Sequence, residues 1–125
     1  MAAPDPATIL HITSGAEWVT AQKAGEVRTS TRDRSLDEEG FIHCSNDDQV
    51  VGVANAIYAD AEEPPVVLRI AVERLHAPVR WENLDGGEES FPHVYGPVPV
   101  DAVVSVSALR RVADGSFALG DEVLT

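Results

Sequence analysis

The chain has 125 residues, 44% hydrophobic and 24% charged, the balance of one globular domain long enough to bury a real core. Acids outnumber bases 21 to 9, a net charge of −12, which argues against affinity built on nucleic-acid phosphates or an anionic membrane. The single cysteine, Cys44, excludes an internal disulfide and suits a reducing compartment. No apolar run is long enough to span a bilayer and no charged-then-apolar leader opens the chain, so the expected location is cytoplasmic.

Pro4 and Pro6 mark a loose tail over residues 1–7, after which Thr8-Ile9-Leu10-His11-Ile12 reads as a short β-run. Ser14 with Glu17 three residues on has capping-box spacing before Trp18 and Ala21. Gly25 is placed to close that helix, which predicts helix over roughly residues 15–24. Glu26 to Ser35 is polar, with Arg28, Arg32 and Arg34, and reads as a loop with a brief strand at its start. Gly40 introduces Phe41-Ile42-His43-Cys44, and Ser45 with Asp48 forms a second N-cap candidate. Val50, Val53, Ala54, Ile57 and Tyr58 then recur at i, i+3, i+4, i+7 and i+8, one continuous apolar stripe.

Pro64-Pro65 ends this helix, and Val66 to Glu73 alternates with Leu68, Ile70 and Val72 on one face, the period of a strand. Val79-Arg80-Trp81-Glu82 is a shorter strand, and Asp85-Gly86-Gly87 a turn or flexible loop. Phe91 to Gly96 reads as irregular, because Pro92 cannot donate to a ladder and Gly96-Pro97 makes a break. Ala102 to Val106 reads as a strand and Arg110 to Leu119 as an edge hairpin turning at Asp114-Gly115. Two early helices and mostly late strands predict one α+β domain over residues 8–120 with a mixed, mainly antiparallel sheet, then a tail over 121–125.

Chemistry is concentrated in the histidines. His76 lies in a turn-like context and reads as merely exposed. His11, His43 and His93 each sit among apolar residues where a strand meets a loop or helix, the usual address of a binding site. Each alone would be a core-edge histidine satisfied by backbone carbonyls; three in similar contexts point to a shared pocket. A three-histidine metal site is the rival, but no two histidines share a short ligand spacing. His43 and Cys44 are adjacent on a strand and face opposite ways. The same alternation turns Cys44 into the core and away from a nucleophile's role. No phosphate-cradling glycine fingerprint occurs. Arg28 and Arg32 are candidate phosphate contacts, since guanidinium forks match those oxygens. The helix start at Ser45 offers further N–H groups to an anion.

Leu10-His11-Ile12, Trp18, Gly25, Glu39-Gly40-Phe41-Ile42-His43-Cys44-Ser45, Gln49 and Phe91-Pro92-His93-Val94-Tyr95-Gly96-Pro97 together resemble the DUF952 family of uncharacterised small bacterial proteins, from about Ile9 to about Phe117. The resemblance implies a fold similar to the ADP-ribosyltransferase superfamily, a split, mostly antiparallel sheet around a cleft for NAD. It matches His11 and His43 to two strand histidines of the branch that includes the RNA 2'-phosphotransferases. The chain departs in lacking a clear glutamate at the ribose-polarising position and in carrying Val27 where members often have tyrosine. Both departures argue against transfer to a protein substrate.

The expectation is therefore a cleft lined by His11, His43 and His93 as catalytic groups, with Arg28, Arg32, Ser45 and Tyr95 binding the ligand and no metal. The ligand is a small NAD-derived or ADP-ribose-bearing molecule, with NAD as a substrate rather than a resident cofactor. The chemistry is that of an ADP-ribosyltransferase-like or phosphotransferase-like transferase. The alternatives are a non-catalytic module sensing a nucleotide through the same cleft, and a metal-dependent hydrolase using the three histidines.

Overall fold

The computed structural model describes residues 6–32, 34–84 and 86–124. The expected tail over residues 1–7 lies outside these up to residue 5, and so does Asp85 of the expected turn. The first strand, β1 (Thr8–Thr13), leads into α1 (Gly15–Ala24). Ser14 caps α1 by accepting from the Glu17 N–H, and Gly25 closes it at φ 89° in the left-handed region that glycine enters without strain.

The segment expected to be mostly loop is instead three short strands, β2 (Glu26–Val27), β3 (Thr29–Thr31) and β4 (Arg34–Ser35). β2 is held by pairing with a distant strand near residue 98, and β3 by local pairing with β4. A one-turn helix, α2 (Leu36–Glu39), follows, with a complete capping box between Ser35 and Glu38. That Ser-x-x-Glu spacing stands in the sequence, so this third helix has a legible start. Next come β5 (Ile42–His43) and α3 (Val50–Ile57). Ser45 does not cap α3. Asn46 Oδ1 accepts from the N–H groups of Asp48 and Gln49, while Gln49 Oε1 accepts from Asn46 N–H. Ser45 instead exchanges both backbone hydrogen bonds with Leu10, at 2.7 and 2.8 Å.

The remaining strands are β6 (Val66–Ala71), β7 (Val79–Glu82), β8 (Phe91–Val94), β9 (Val98–Pro99), β10 (Val103–Arg111) and β11 (Phe117–Leu124). β11 runs to Leu124, so residues 121–124 belong to the last strand and not to a tail. β8 corrects the reading of Phe91 to Gly96 as irregular: it is the centre of a sheet ordered β5-β8-β7. Pro92 is tolerated because its backbone faces β5, where its carbonyl accepts from Cys44 N–H at 2.9 Å. Its missing N–H falls where the β5 ladder ends. Gly96 is required there by close approach, since a Cβ would stand 2.6 Å from that of Ala77.

The larger sheet has the order β1-β6-β10-β11, and every pairing between the named strands is antiparallel. Alternation gives it two apolar faces. Leu10, Ile12, Val67, Leu109 and Phe117 pack with Val50, Ala54 and Tyr58 of the α3 region. Ile9, Leu68, Ile70 and Val103 pack on the other side with Trp18 and Ala21 of α1 and Ile42, Cys44 and Val94 of the small sheet. Each such large side chain contributes about 1.5–3 kcal/mol on burial. The chain is thus a small α+β domain with three helices and antiparallel sheets. The Leu10–Ser45 bridge joins the two larger sheets. No helix among the described residues is long and apolar enough to cross a membrane.

Candidate functional site

The small sheet has two unlike faces because its side chains alternate. Ile42, Cys44, Pro92 and Val94 are buried on one face. Phe41 and His43 precede and end β5 on the other, with Phe91, His93 and Tyr95 from β8 and Arg80 and Glu82 from β7. His43 stands directly opposite His93, and His93 opposite Arg80. The Cys44-to-Pro92 hydrogen bond makes His43 and His93 a non-hydrogen-bonded pair, the type that brings side chains closest.

Their rings use that proximity. His43 Nδ1 lies 3.2 Å from His93 Nε2, and His93 Nδ1 lies 2.9 Å from Glu82 Oε1. The same carboxylate oxygen accepts a short hydrogen bond from the Tyr95 hydroxyl. A carboxylate only accepts, so His93 carries a proton on Nδ1; with both rings neutral its Nε2 accepts from His43 Nδ1–H, and the lone pair of His43 is then on Nε2. The Tyr95 hydroxyl first, and His93 second, hold the Glu82 carboxyl below the usual carboxylate range, while Tyr95 is raised by the same bond. Phe41 stacks on His93 with ring centroids 4.1 Å apart, and Phe91 tilts against His43 at 5.1 Å. The Arg80 guanidinium lies over the Tyr95 ring at 5.1 Å.

His93 is 4% exposed, whereas His43 is half-buried and borders open space. A cleft of about 240 Å³ is lined by Thr31, Glu39, Phe41, His43, Glu82, Leu84, Phe91 and His93. A second cavity of about 510 Å³ lies on the α3 side of His43 and Phe91. The arrangement can accept a proton at His43 and stabilise the resulting imidazolium through His93 and Glu82, as a base backed by an orienting carboxylate does.

Of the expected site residues, the structure brings together His43, His93 and Tyr95. Tyr95 engages Glu82 through its hydroxyl, which fixes the carboxylate beneath His93. His11 does not open into the cleft. It is 1% exposed between the two larger sheets, its Nδ1–H donates to the His43 carbonyl at 2.8 Å, and its Nε2 faces Thr29 Oγ1 at 3.5 Å. Burial, only partly offset by those hydrogen bonds, lowers its pKa to about 4, so it is a neutral pin behind His43.

Arg28 and Arg32 also lie apart from the histidine cleft. Arg28 pairs with Glu26 and Asp37, and Arg32, at a left-handed φ of 42°, bonds to Asp60 and the Ile57 carbonyl. Their polar neighbours satisfy them locally, and both line a different cavity of about 450 Å³. Ser45 is buried with its N–H committed to Leu10, so it offers no backbone donor to an anion. Cys44 is buried at 1% exposure and burial raises its thiol well above the ordinary range, as strand alternation requires. Among the described residues no group of three or more His, Cys, Asp or Glu converges on a point where a metal ion could sit.

Sequence reasoning missed Glu82, Phe41 and Phe91. The signal was alternation: Arg80 and Glu82 share one face of a four-residue strand, as do the Phe-x-His pairs. Nothing local tells which strand faces which.

Residues 12–106 match the DUF952 family, described as a protein of unknown function. The chain is similar to the crystal structure of protein CC0527 from Caulobacter crescentus, with 33% identity, a TM-score of 0.73, and coverage of 89% of this chain and 93% of that one. It is likewise similar to the solution structure of CC0527, at 31% identity and a TM-score of 0.70, with 89% and 91% covered. No curated protein matches the chain.

Proposed function

The chain belongs to the DUF952 family, and from that premise we propose that it binds a small NAD-derived or ADP-ribose-bearing ligand and transforms it at His43. The observation that carries this reading is the Tyr95–Glu82–His93–His43 hydrogen-bond chain, which includes a half-buried imidazole bordering two cavities. Two antiparallel sheets joined at the Leu10–Ser45 bridge suit the split sheet of the ADP-ribosyltransferase-like superfamily, and on this reading the cleft between Phe41 and Phe91 receives the ribose.

Breaking a nicotinamide–ribose bond sends the bonding electron pair out with nicotinamide and leaves an oxocarbenium-like ribose. The attacking hydroxyl or water then gives up a proton. His43 Nε2 accepts a hydrogen bond from a ribose hydroxyl or takes that proton, and His93 passes the charge gained towards Glu82. Such contacts strengthen as positive charge develops, so they act on turnover more than on ground-state binding.

The test is incubation with NAD while nicotinamide release and ligand affinity are measured. His43→Ala should lower turnover by about 100-fold, equivalent to roughly 3 kcal/mol, as for loss of one oriented transition-state contact. Affinity should change far less. Binding without any nicotinamide release would replace this reading with the sensing module, and absence of both would end it.

A further inference from the structure

The cavity on the α3 side of His43 has a chemical character of its own. Its volume is about 510 Å³, and Gly52, Val53, Ala56 and Ile57 of α3 and the Phe91 ring supply its apolar surface. Its charged side chains are Asp48 and Glu89, and neither lysine nor arginine lines it. The adjoining cleft, bordered by Glu39 and Glu82, is likewise lined by neither lysine nor arginine, its nitrogen bases being His43 and His93.

Two details separate this cavity from an ordinary surface hollow. Gly52 lies inside α3, where glycine costs about 0.5–1 kcal/mol relative to alanine. A Cβ there would meet nothing within 4 Å, so no neighbour requires the glycine; what the missing side chain provides is space in the cavity. Asp48 precedes the first turn of α3, where an acid favours the helix itself. Glu89, reaching in from beyond the helix, accepts a long hydrogen bond from Gln49 Nε2 at 3.4 Å and adds a second negative charge to the same wall.

We propose that this cavity is the subsite for the cationic end of the ligand, an organic cation with an apolar or aromatic body, and that it excludes phosphate. The Phe91 face and the α3 floor take the apolar body, and Asp48 and Glu89 complement its charge. The inference rests on the reading of His43 as the group that meets the ligand, and it narrows that reading. The positively charged part of the molecule enters here while any phosphates stay outside.

The test uses three probes of similar size, benzyltrimethylammonium, benzyl alcohol and phenylphosphonate, titrated while the backbone amides of residues 48–57 and 89–91 are followed by NMR. Benzyltrimethylammonium should bind best, and phenylphosphonate should leave these amides unmoved. Asp48→Asn combined with Glu89→Gln should weaken the cation by about tenfold, the sum expected of two solvent-accessible charges, and leave benzyl alcohol unchanged. Gly52→Leu, whose Cβ meets no neighbour and whose side chain improves helix propensity while projecting into the cavity, should fold and abolish binding of both. Phenylphosphonate binding as tightly as the cation, unaltered binding in Gly52→Leu, or no response to any probe would overturn the subsite. A protein that passes this test and never releases nicotinamide loses only the proposed reaction. One that releases nicotinamide and fails this test loses only the subsite.

Discussion

In the four-stranded sheet, His11 stands on β1 at 1% exposure among Ile9, Leu68 and other apolar groups; in the small sheet, His93 is buried almost as deeply, at 4%. Both rings have two hydrogen-bonding partners. His11 has a backbone carbonyl and a threonine hydroxyl, both neutral, so nothing compensates a proton there and its pKa falls to about 4. His93 has an ionised carboxylate 2.9 Å from one nitrogen and a second imidazole at the other. The contrast shows that depth of burial does not decide what a histidine does. A neutral surround makes it a structural pin, and a carboxylate makes it one link of a hydrogen-bonded chain.

The largest effect that would break this contrast concerns acid stability. His11 titrates near 6.5 when unfolded and about 4 when folded, so between those values the unfolded chain holds a proton that the native chain refuses. Stability is then full above about pH 6.5 and falls as pH drops towards 4, by about 3 kcal/mol in total for a shift of this size. Urea unfolding at pH 7 and pH 4.5 should show His11→Asn losing most of this pH dependence. Equal slopes in the two proteins would mean that His11 is not the uncompensated group.

A smaller effect sharpens the other half. Tyr95→Phe removes the first cause of the lowered Glu82 pKa, so the carboxyl should titrate at higher pH while remaining below its ordinary value because His93 is retained. Carboxyl-carbon NMR reads this directly. If the proposed turnover is measured, its acid limb should move up with it. No movement of the Glu82 titration would remove Tyr95 from the chain.

The smallest effect tests the hidden face of the same sheet. Cys44→Ala should cost about 1 kcal/mol of stability through a lost buried sulfur, while turnover stays within about twofold because the thiol touches no cleft. Iodoacetamide should leave the native thiol unmodified and react once urea unfolds the chain. An inactive Cys44→Ala beside a fully active His43→Ala would reverse the two roles.

Local periodicity and punctuation determined much of this molecule. The α1 limits follow from Ser14, Glu17 and Gly25, the α3 stripe from its 3.6-residue period, and the inward turn of Cys44 from alternation beside His43. These are short-range properties, set by side-chain direction and by the few residues that start or stop an element. The tertiary structure decided what depends on pairing between distant segments. Pro92 sits in a central strand because β5 ends where its N–H would be needed, which no property of Phe91-Pro92-His93 alone reveals. The same pairing set His93 against His43 and brought Glu82, eleven residues from His93, against its second nitrogen. It also sent His11, alike in local context, to the buried seam between sheets. Local sequence marks a histidine at a strand end, but its charge state and task come from the groups that folding places at its two nitrogens.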